Sequence, residues 1–262
     1  KEIDGKERKV AILNDTVATL LGGKGITSDR RFDGYIGFIF GTGTNLCYIE
    51  KTNAITKIND AEDDTMIINT ESGAYNKLPR GVMDTALDNT SANPGDYQLE
   101  KMVSGRYLGP LVLEVLKGAA KEGLFSAKCN EKLIAIDALE LIDVNNFIGN
   151  PHQVENPIAK CIAEATDCTL MVELIDAMIE RAAKICAIKL SACILKTDTG
   201  RDMARPVAIV GEGTTFYKLK DYKEKLDYYM KAYLTKNQGR HYEFIKGEDL
   251  NLIGTAIAAL SN

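Results

Sequence analysis

The chain has 262 residues, 45% hydrophobic and 26% charged, with a formal net charge of −5; that supports a sizeable core, and the lack of a basic block argues against a nucleic-acid partner. No apolar run approaches the roughly 18 residues of a membrane span, and Lys1–Lys9 is too polar for a signal peptide. Six cysteines form no C-x-x-C pair, and the two histidines, His152 and His241, are far apart, so the expectation is free thiols in a reducing cytoplasm and no protein-ligated metal.

Lys1–Lys9 carries no periodicity. Val10–Leu13 reads as a short strand stopping at the turn-favouring Asn14-Asp15. Thr16–Leu21 reads as a helix capped by Asp15 or Thr16 and ended by Gly22-Gly23, with Gly25–Asp33 a loop. Tyr35–Phe40 and Leu46–Ile49 read as a hairpin across five residues, whose two glycines would supply backbone angles that other residues resist. Met66–Asn69 is a further strand, and Tyr75–Tyr97, rich in Pro, Gly, Asn and Asp, reads as irregular surface. Leu99–Gly118 is helical in pattern, with a break or a new start expected at Gly109-Pro110. Glu122–Asn150 is ambiguous. Thr169–Lys196 is the clearest helix, its apolar stripe running through Leu170, Leu174, Ile175, Met178, Ala182, Ile185, Ile188 and Leu195. Pro206–Val210 is a strand leading into Gly211–Thr215, Tyr217–Leu234 an amphipathic helix, His241–Ile245 a strand and Leu250–Leu260 an apolar helix. This alternation predicts an α/β domain with helices packed on a sheet.

Two turns offer chemistry. Glycines let backbone N–H groups approach a phosphate, and a threonine hydroxyl adds a donor, so Gly41-Thr42-Gly43-Thr44 suits a phosphate turn, although it is not a Walker A loop. Taken alone, such a Gly-Thr-Gly is more often just a hairpin turn. Asp15 beside Asn14 suits a general base, but an isolated Asn-Asp-Thr is more often a helix cap. Glu71 and Glu100 read singly as solvated charges, and Asn45 as a turn residue.

Their joint order changes that reading. Ile12–Val17 (Ile-Leu-Asn-Asp-Thr-Val), Ile36–Glu50 (Ile-Gly-Phe-Ile-Phe-Gly-Thr-Gly-Thr-Asn-Leu-Cys-Tyr-Ile-Glu), Ile68–Ala74 (Ile-Asn-Thr-Glu-Ser-Gly-Ala), Asn93–Gly95 and Leu99–Gly109 closely resemble the hexokinase family. Arg181-Ala182-Ala183 and Val210–Thr214 also fit. The resemblance is dense up to Gly109, loose through Gly118–Asn150 and moderate beyond.

The resemblance implies a ribonuclease-H-like domain of the actin-like ATPase superfamily, a mixed sheet flanked by helices. It implies ATP-dependent phosphorylation of a hexose at its 6-hydroxyl, with glucose the expected hexose. Asp15 would take the hydroxyl proton, and Asn14, Asn45, Glu71 and Glu100 would hold the other sugar hydroxyls. Gly41, Thr42 and Gly43 would form the second phosphate turn; Gly105, with Gly213 and Thr214 after Glu212, would lie against the nucleotide, and the last helix, with Gly254-Thr255-Ala256, would close the adenosine side. Mg²⁺ would accompany ATP, held through phosphates and water.

Ser72, Pro110 and Glu212 stand where the family usually has tryptophan, glutamate and aspartate, and its glycine-serine-glycine wording is missing near Leu250–Gly254. The family's first phosphate turn and the Thr-Lys sugar contacts of its small domain are also not in this sequence. The chain therefore reads as the large C-terminal domain, residues 1–262, with 1–9 as hinge or tail. It is expected to need the N-terminal lobe as partner, and to bind sugar weakly and turn over little alone. A hexokinase-like sugar sensor without catalysis, and another ATPase of the actin-like superfamily, are the alternatives. Oligomeric state stays open.

Overall fold

The computed structural model describes residues 2–3, 6–7, 10, 12–58 and 64–261. Glu2–Ile3 (β1) pairs antiparallel with Lys6–Glu7 (β2); the rest of the expected hinge or tail lies outside the described residues. No strand forms at residues 10, 12 or 13, where Ile12 is 93% exposed: an extended run with no sheet neighbour has nowhere to place its backbone hydrogen bonds.

Asp15–Ile26 (α1) is longer than its sequence suggests. Asn14, not Asp15 or Thr16, is the N-cap, its side chain accepting from the Thr16 N–H at 2.9 Å. Gly22 and Gly23 lie inside the helix because another helix presses on it there. Gly34–Phe40 (β3) and Thr44–Lys51 (β4) form the hairpin, followed by Thr65–Asn69 (β5). Val82–Thr90 (α2) is a helix within the stretch that reads as irregular. Its polar residues Asp84 and Asp88 face inward, Asp84 in a bidentate pair with Arg181 (2.7 and 2.9 Å) and Asp88 bonded to Lys101 (2.6 Å).

Gln98–Val103 (α3) ends at Ser104, and Gly105–Lys121 (α4) starts at once. The break therefore falls before Gly105, and Pro110 is carried inside α4. Ala127–Ile134 (α5) and Leu141–Gly149 (α6) resolve the ambiguous region. Ala165–Lys196 (α7) is the long helix, with Ile175, Ala182 and Leu190 fully buried; Ile188, placed on its apolar stripe by spacing, is 62% exposed. Val207–Glu212 (β6) leads into Thr214–Lys218 (α8). Tyr222–Met230 (α9) is separated from α8 by the left-handed Asp221 and runs on as a π-helix through Lys231–Asn237, so the single helix expected over 217–234 is divided. Tyr242–Ile245 (β7) and Leu250–Ser261 (α10) close the chain.

Among the described residues beyond β2, five strands form one mixed sheet in the order β5-β4-β3-β6-β7, β4 running antiparallel to its neighbours and β3, β6 and β7 parallel. Strand alternation divides its residues between two faces. Phe38, Phe40, Leu46, Val207 and Ile209 join the main core with α3, α4, α7 and α9. Gly37, Cys47 and Val210 face α1 and α10: a Cβ on Gly37 would stand 2.4 Å from the Thr16 carbonyl, and one on Gly23 would strike Val210. The α1–α10 contact is equally close, since a Cβ on Gly22 would meet the Leu250 carbonyl at 2.1 Å and one on Gly254 the Ala18 carbonyl at 1.9 Å. Of the glycines read as a helix stop, Gly22 thus lets two helix backbones touch and Gly23 lets α1 lie on Val210 of β6.

Candidate active site

The hairpin turn is three residues, Gly41–Gly43, because pairing already resumes at Phe40↔Thr44. Neither Gly41 nor Gly43 takes a positive φ; at Gly43 close approach is what calls for glycine. A Cβ on Gly43 would come 2.7 Å from Glu100 Oε2. The Gly105 and Arg106 N–H groups at the start of α4 donate to the Gly41 and Thr42 carbonyls at 2.9 and 3.1 Å. That fixes the carbonyl side of the turn, while the Thr42 and Gly43 N–H groups donate to nothing among the described residues. Gly213 does need its conformation: φ is 117°, and a side chain there would strike the Phe40 carbonyl at 2.3 Å. Phe40, at the root of the turn, stacks on Tyr222 with centroids 4.3 Å apart.

On one side of the turn, polar groups form a directed chain. Glu100 Oε2 accepts the Thr44 N–H at 3.0 Å, in a slot walled by Gly43 and Gly73. Asn69 Nδ2 donates to Glu71 Oε1 (2.7 Å), and Asn45 Nδ2 donates to Asn69 Oδ1 (2.7 Å). A carboxylate only accepts, so Glu71 orients the Asn69 amide, and that in turn orients Asn45. Asn45 Oδ1 then accepts the N–H groups of Leu46 (2.8 Å) and Ser72 (3.1 Å). One N–H of Asn45 and one oxygen each of Glu71 and Glu100 are left for another molecule. Glu71 sits at φ 48°, ψ 44°, a left-handed conformation that costs a non-glycine residue about 1–2 kcal/mol.

Asp15 is the exposed first residue of α1. Its Oδ1 shares the Thr16 N–H with Asn14 (2.8 Å), and its Oδ2 has no partner among the described residues. Thr16 lies on Cys47, whose thiol donates to the Thr16 carbonyl at 3.2 Å. Burial pushes that thiol up to about 12, with the Asp15 charge adding to the shift, so Cys47 is no nucleophile near neutral pH. Asn45 lies two residues from Cys47 on the same strand face, so Asp15 and Asn45 share a face with the Asn69–Glu71 chain beside them.

Beyond the turn opens a cleft of about 890 Å³. Gly41, Thr42, Gly105 and Thr214 line it, joined by Thr215, Arg106 and Lys218, with Pro110, Leu113 and Leu139 supplying apolar wall and Asp137 and Glu140 a rim of charge. Four of the nine residues expected on the nucleotide side therefore meet in one cavity, whereas Gly254, Thr255 and Ala256 do not line it, Gly254 being packed on the Ala18 backbone of α1. Gly43 instead faces Glu100 on the other side of the turn, and Gly213 packs on the Phe40 carbonyl at its root.

Sequence reasoning missed several residues. Asn69 stands two positions before Glu71, a spacing that a strand end makes visible. Arg106 and Lys218 had no signal beyond charge. Lys189 is a cation in a core helix; its ammonium donates to Thr44 Oγ1 at 2.6 Å and lies 4.9 Å from the Phe38 ring centroid. Glu212 joins three elements, accepting from Thr19 of α1 (2.7 Å) and Asn251 of α10 (2.9 Å). That explains a polar residue amid the departures near Leu250.

A family model described as Hexokinase matches residues 35–261. The chain is 31% identical over 273 residues to Hexokinase-1 of Nicotiana tabacum, covering 97% of this chain and 54% of that protein. It is 29% identical over 282 residues to the Hexokinase-like 1 protein of Arabidopsis thaliana, covering all of this chain and 55% of that protein. Among solved structures, the hexokinase from Schistosoma mansoni complexed with glucose superposes with a TM-score of 0.78 at 24% identity, over 97% of this chain and 58% of that one, which shows the shared actin-like ATPase fold. The chain spans about half the length of the curated relatives it matches.

Proposed function

The chain belongs to the hexokinase family, and from that premise we propose that it is the large domain of an ATP-dependent hexokinase acting on the 6-hydroxyl of a hexose, with glucose the first candidate. The observation that carries the reading is the position of the Gly41–Gly43 turn. Free carboxylate oxygens lie on one side of it, at Glu71 and Glu100, and the glycine-lined cleft lies on the other. An acceptor sugar and a phosphoryl donor on those two sides would meet across the turn.

In this reading Glu71, Glu100, Asn45 and Asn14 hold the sugar hydroxyls through charge-assisted and amide hydrogen bonds. Asp15 accepts the 6-hydroxyl proton at Oδ2, the oxygen with no partner among the described residues. The nucleotide side fits ATP: a Cβ on Gly105 would collide with Thr215 Oγ1 (2.5 Å) and the Gly41 carbonyl (2.6 Å), so glycine there lets the start of α4 lie directly against the turn that walls the cleft. Gly41, Thr42, Gly105, Thr214 and Thr215 would hold the nucleotide there, with Arg106 and Lys218 offering charge to its phosphates. Mg²⁺-ATP supplies the phosphoryl group and neutralises its charge when bound. The N-terminal lobe is the partner that excludes water and aligns the two sides, and a cytoplasmic setting accords with six cysteines that are all unpaired.

Calorimetry and a coupled phosphorylation assay test this on two samples: this chain, and the full-length two-lobed protein. The full-length protein should bind glucose, mannose or fructose and turn one over, while this chain binds weakly and turns over little. No hexose binding by the full-length protein overturns the reading. Binding without turnover favours a sugar sensor, and ordinary turnover by this chain alone overturns the need for a second lobe.

A further inference from the structure

Lys189 stands half-buried on α7 between exposed Ile188 and buried Leu190, its ammonium turned inward onto Thr44. A methionine or leucine would pack there without the cost of burying an ammonium. What the cation gains is specific. It donates to Thr44 Oγ1 (2.6 Å), that hydroxyl donates on to the Ile39 carbonyl (3.0 Å), and the Thr44 N–H donates to Glu100 Oε2 (3.0 Å). Thr44 is 4% exposed, so this relay works away from water.

We propose that Lys189 is a positioning residue of the sugar-binding side, its ammonium locking the Thr44 hydroxyl so that the Thr44 N–H holds Glu100 in the slot between Gly43 and Gly73. The proposal rests on the hexokinase reading of that site. It also explains why a half-buried position beside the core carries a charge: the cation lies behind the turn, close enough to Glu100 for their charges to interact.

The groups facing Lys189 are Glu100 from α3, Thr44 from β4, the Phe38 ring from β3, and Cys186 and Cys193 from α7, with Tyr222 of α9 against Cys186. Burial raises both thiols, Cys193 to about 11, and raises the Tyr222 hydroxyl. Near neutral pH both thiols and the phenol are therefore uncharged. Burial lowers the Lys189 ammonium from its ordinary value, opposed by the thiols and by Glu100. As pH rises through that lowered value the ammonium loses its proton and the lock on Thr44 weakens.

The test uses Lys189→Met and Thr44→Val in the full-length protein, with hexose affinity measured by calorimetry from pH 7 to 10 and melting followed alongside. Each variant should bind hexose about tenfold more weakly at pH 7, the double variant no more weakly than either single one, as expected for two members of one relay. Wild-type affinity should fall on the alkaline side, and both variants should lack that limb. Lys189→Met should melt no lower than wild type, which a merely structural lysine would not allow. Unchanged affinity in a folded Lys189→Met overturns the assignment. If that variant does not fold, Thr44→Val decides: wild-type affinity, or a retained alkaline limb, overturns it. A wild type that binds no hexose at any pH instead overturns the hexokinase reading, and this assignment with it.

Discussion

Thr44 gives its backbone N–H to Glu100 at 3.0 Å across 56 residues of sequence. The bond ties the hairpin that carries the Gly41–Gly43 turn to the short helix α3 that carries Glu100. Neither residue can shift without the other, and Gly43 and Gly73 are small because the carboxylate passes between them. In the proposed function, acceptor side and donor side would thus be set by one contact rather than by two independent loops.

Glu100→Gln should separate charge from geometry. The glutamine carbonyl can still accept the Thr44 N–H, so melting should stay within about 1 kcal/mol of wild type. The sugar-facing oxygen, however, loses its charge, and a charge-assisted hydrogen bond is roughly twice as strong as a neutral one. Hexose affinity of the full-length protein should drop about tenfold. Calorimetry showing unchanged affinity would remove Glu100 from the sugar contacts.

Asp15 and Asn14 make a contrasting pair. Asn14 caps α1, so Asn14→Ala should cost about 1 kcal/mol of stability. Asp15 is exposed and is not the cap, so Asp15→Asn should cost less than that. If Asp15 is the base, its removal should lower turnover about 10²- to 10⁴-fold with hexose affinity little changed. Denaturant melts and initial rates on both variants separate the two roles.

Local patterns read well where one element decides its own shape. The β3–β4 hairpin, α7 and the β6 strand leading to Gly213 follow from apolar periodicity and glycine placement. The glycine turn was legible in place though not in cause: Gly43 is small because Glu100 lies against it, not because of φ. What could not be read came from distant partners. Gly22-Gly23 looked like a stop because α10, more than 220 residues on, was not in view. Asp84 and Asp88 looked like loop residues because their cations, Arg181 and Lys101, lie on other helices. Lys189 carried no signal at all, since its meaning depends on Thr44 across the fold.

The α1–α10 contact should be intolerant of a single methyl group. Gly22→Ala puts a Cβ 2.1 Å from the Leu250 carbonyl and Gly254→Ala puts one 1.9 Å from the Ala18 carbonyl. Both neighbours are backbone and cannot swing aside, so each change should cost about 1–3 kcal/mol or more. Gly149→Ala is the control: its Cβ meets nothing within 4 Å, and the lower freedom of alanine in the unfolded chain should stabilise by about 0.4–1 kcal/mol. Urea titrations of the three variants give the comparison, and a harmless Gly22→Ala would mean the helices stand further apart.

The Lys101–Asp88 pair should give the fold an acid-sensitive limb next to the site. Burial alone would raise the Asp88 carboxyl, but hydrogen bonds from Lys101, the Gly95 N–H and Arg80 bring it below its ordinary value. A carboxyl lowered in the folded state contributes stability that is fully present above its unfolded value of about 3.9 and is lost as pH falls through the lower folded value. Lys101 also donates to the Asn93 carbonyl at 2.6 Å, so the same pair holds the loop before α3, and with it the helix carrying Glu100. Lys101→Met leaves Asp88 buried with the half-exposed Arg80 as its remaining cation. That should cost about 3–5 kcal/mol at neutral pH and flatten the loss of stability below about pH 4. Chemical melts of both proteins between pH 3 and 7 read the two slopes, and parallel curves would show that Asp88 owes its acidity to Gly95 and Arg80 rather than to Lys101.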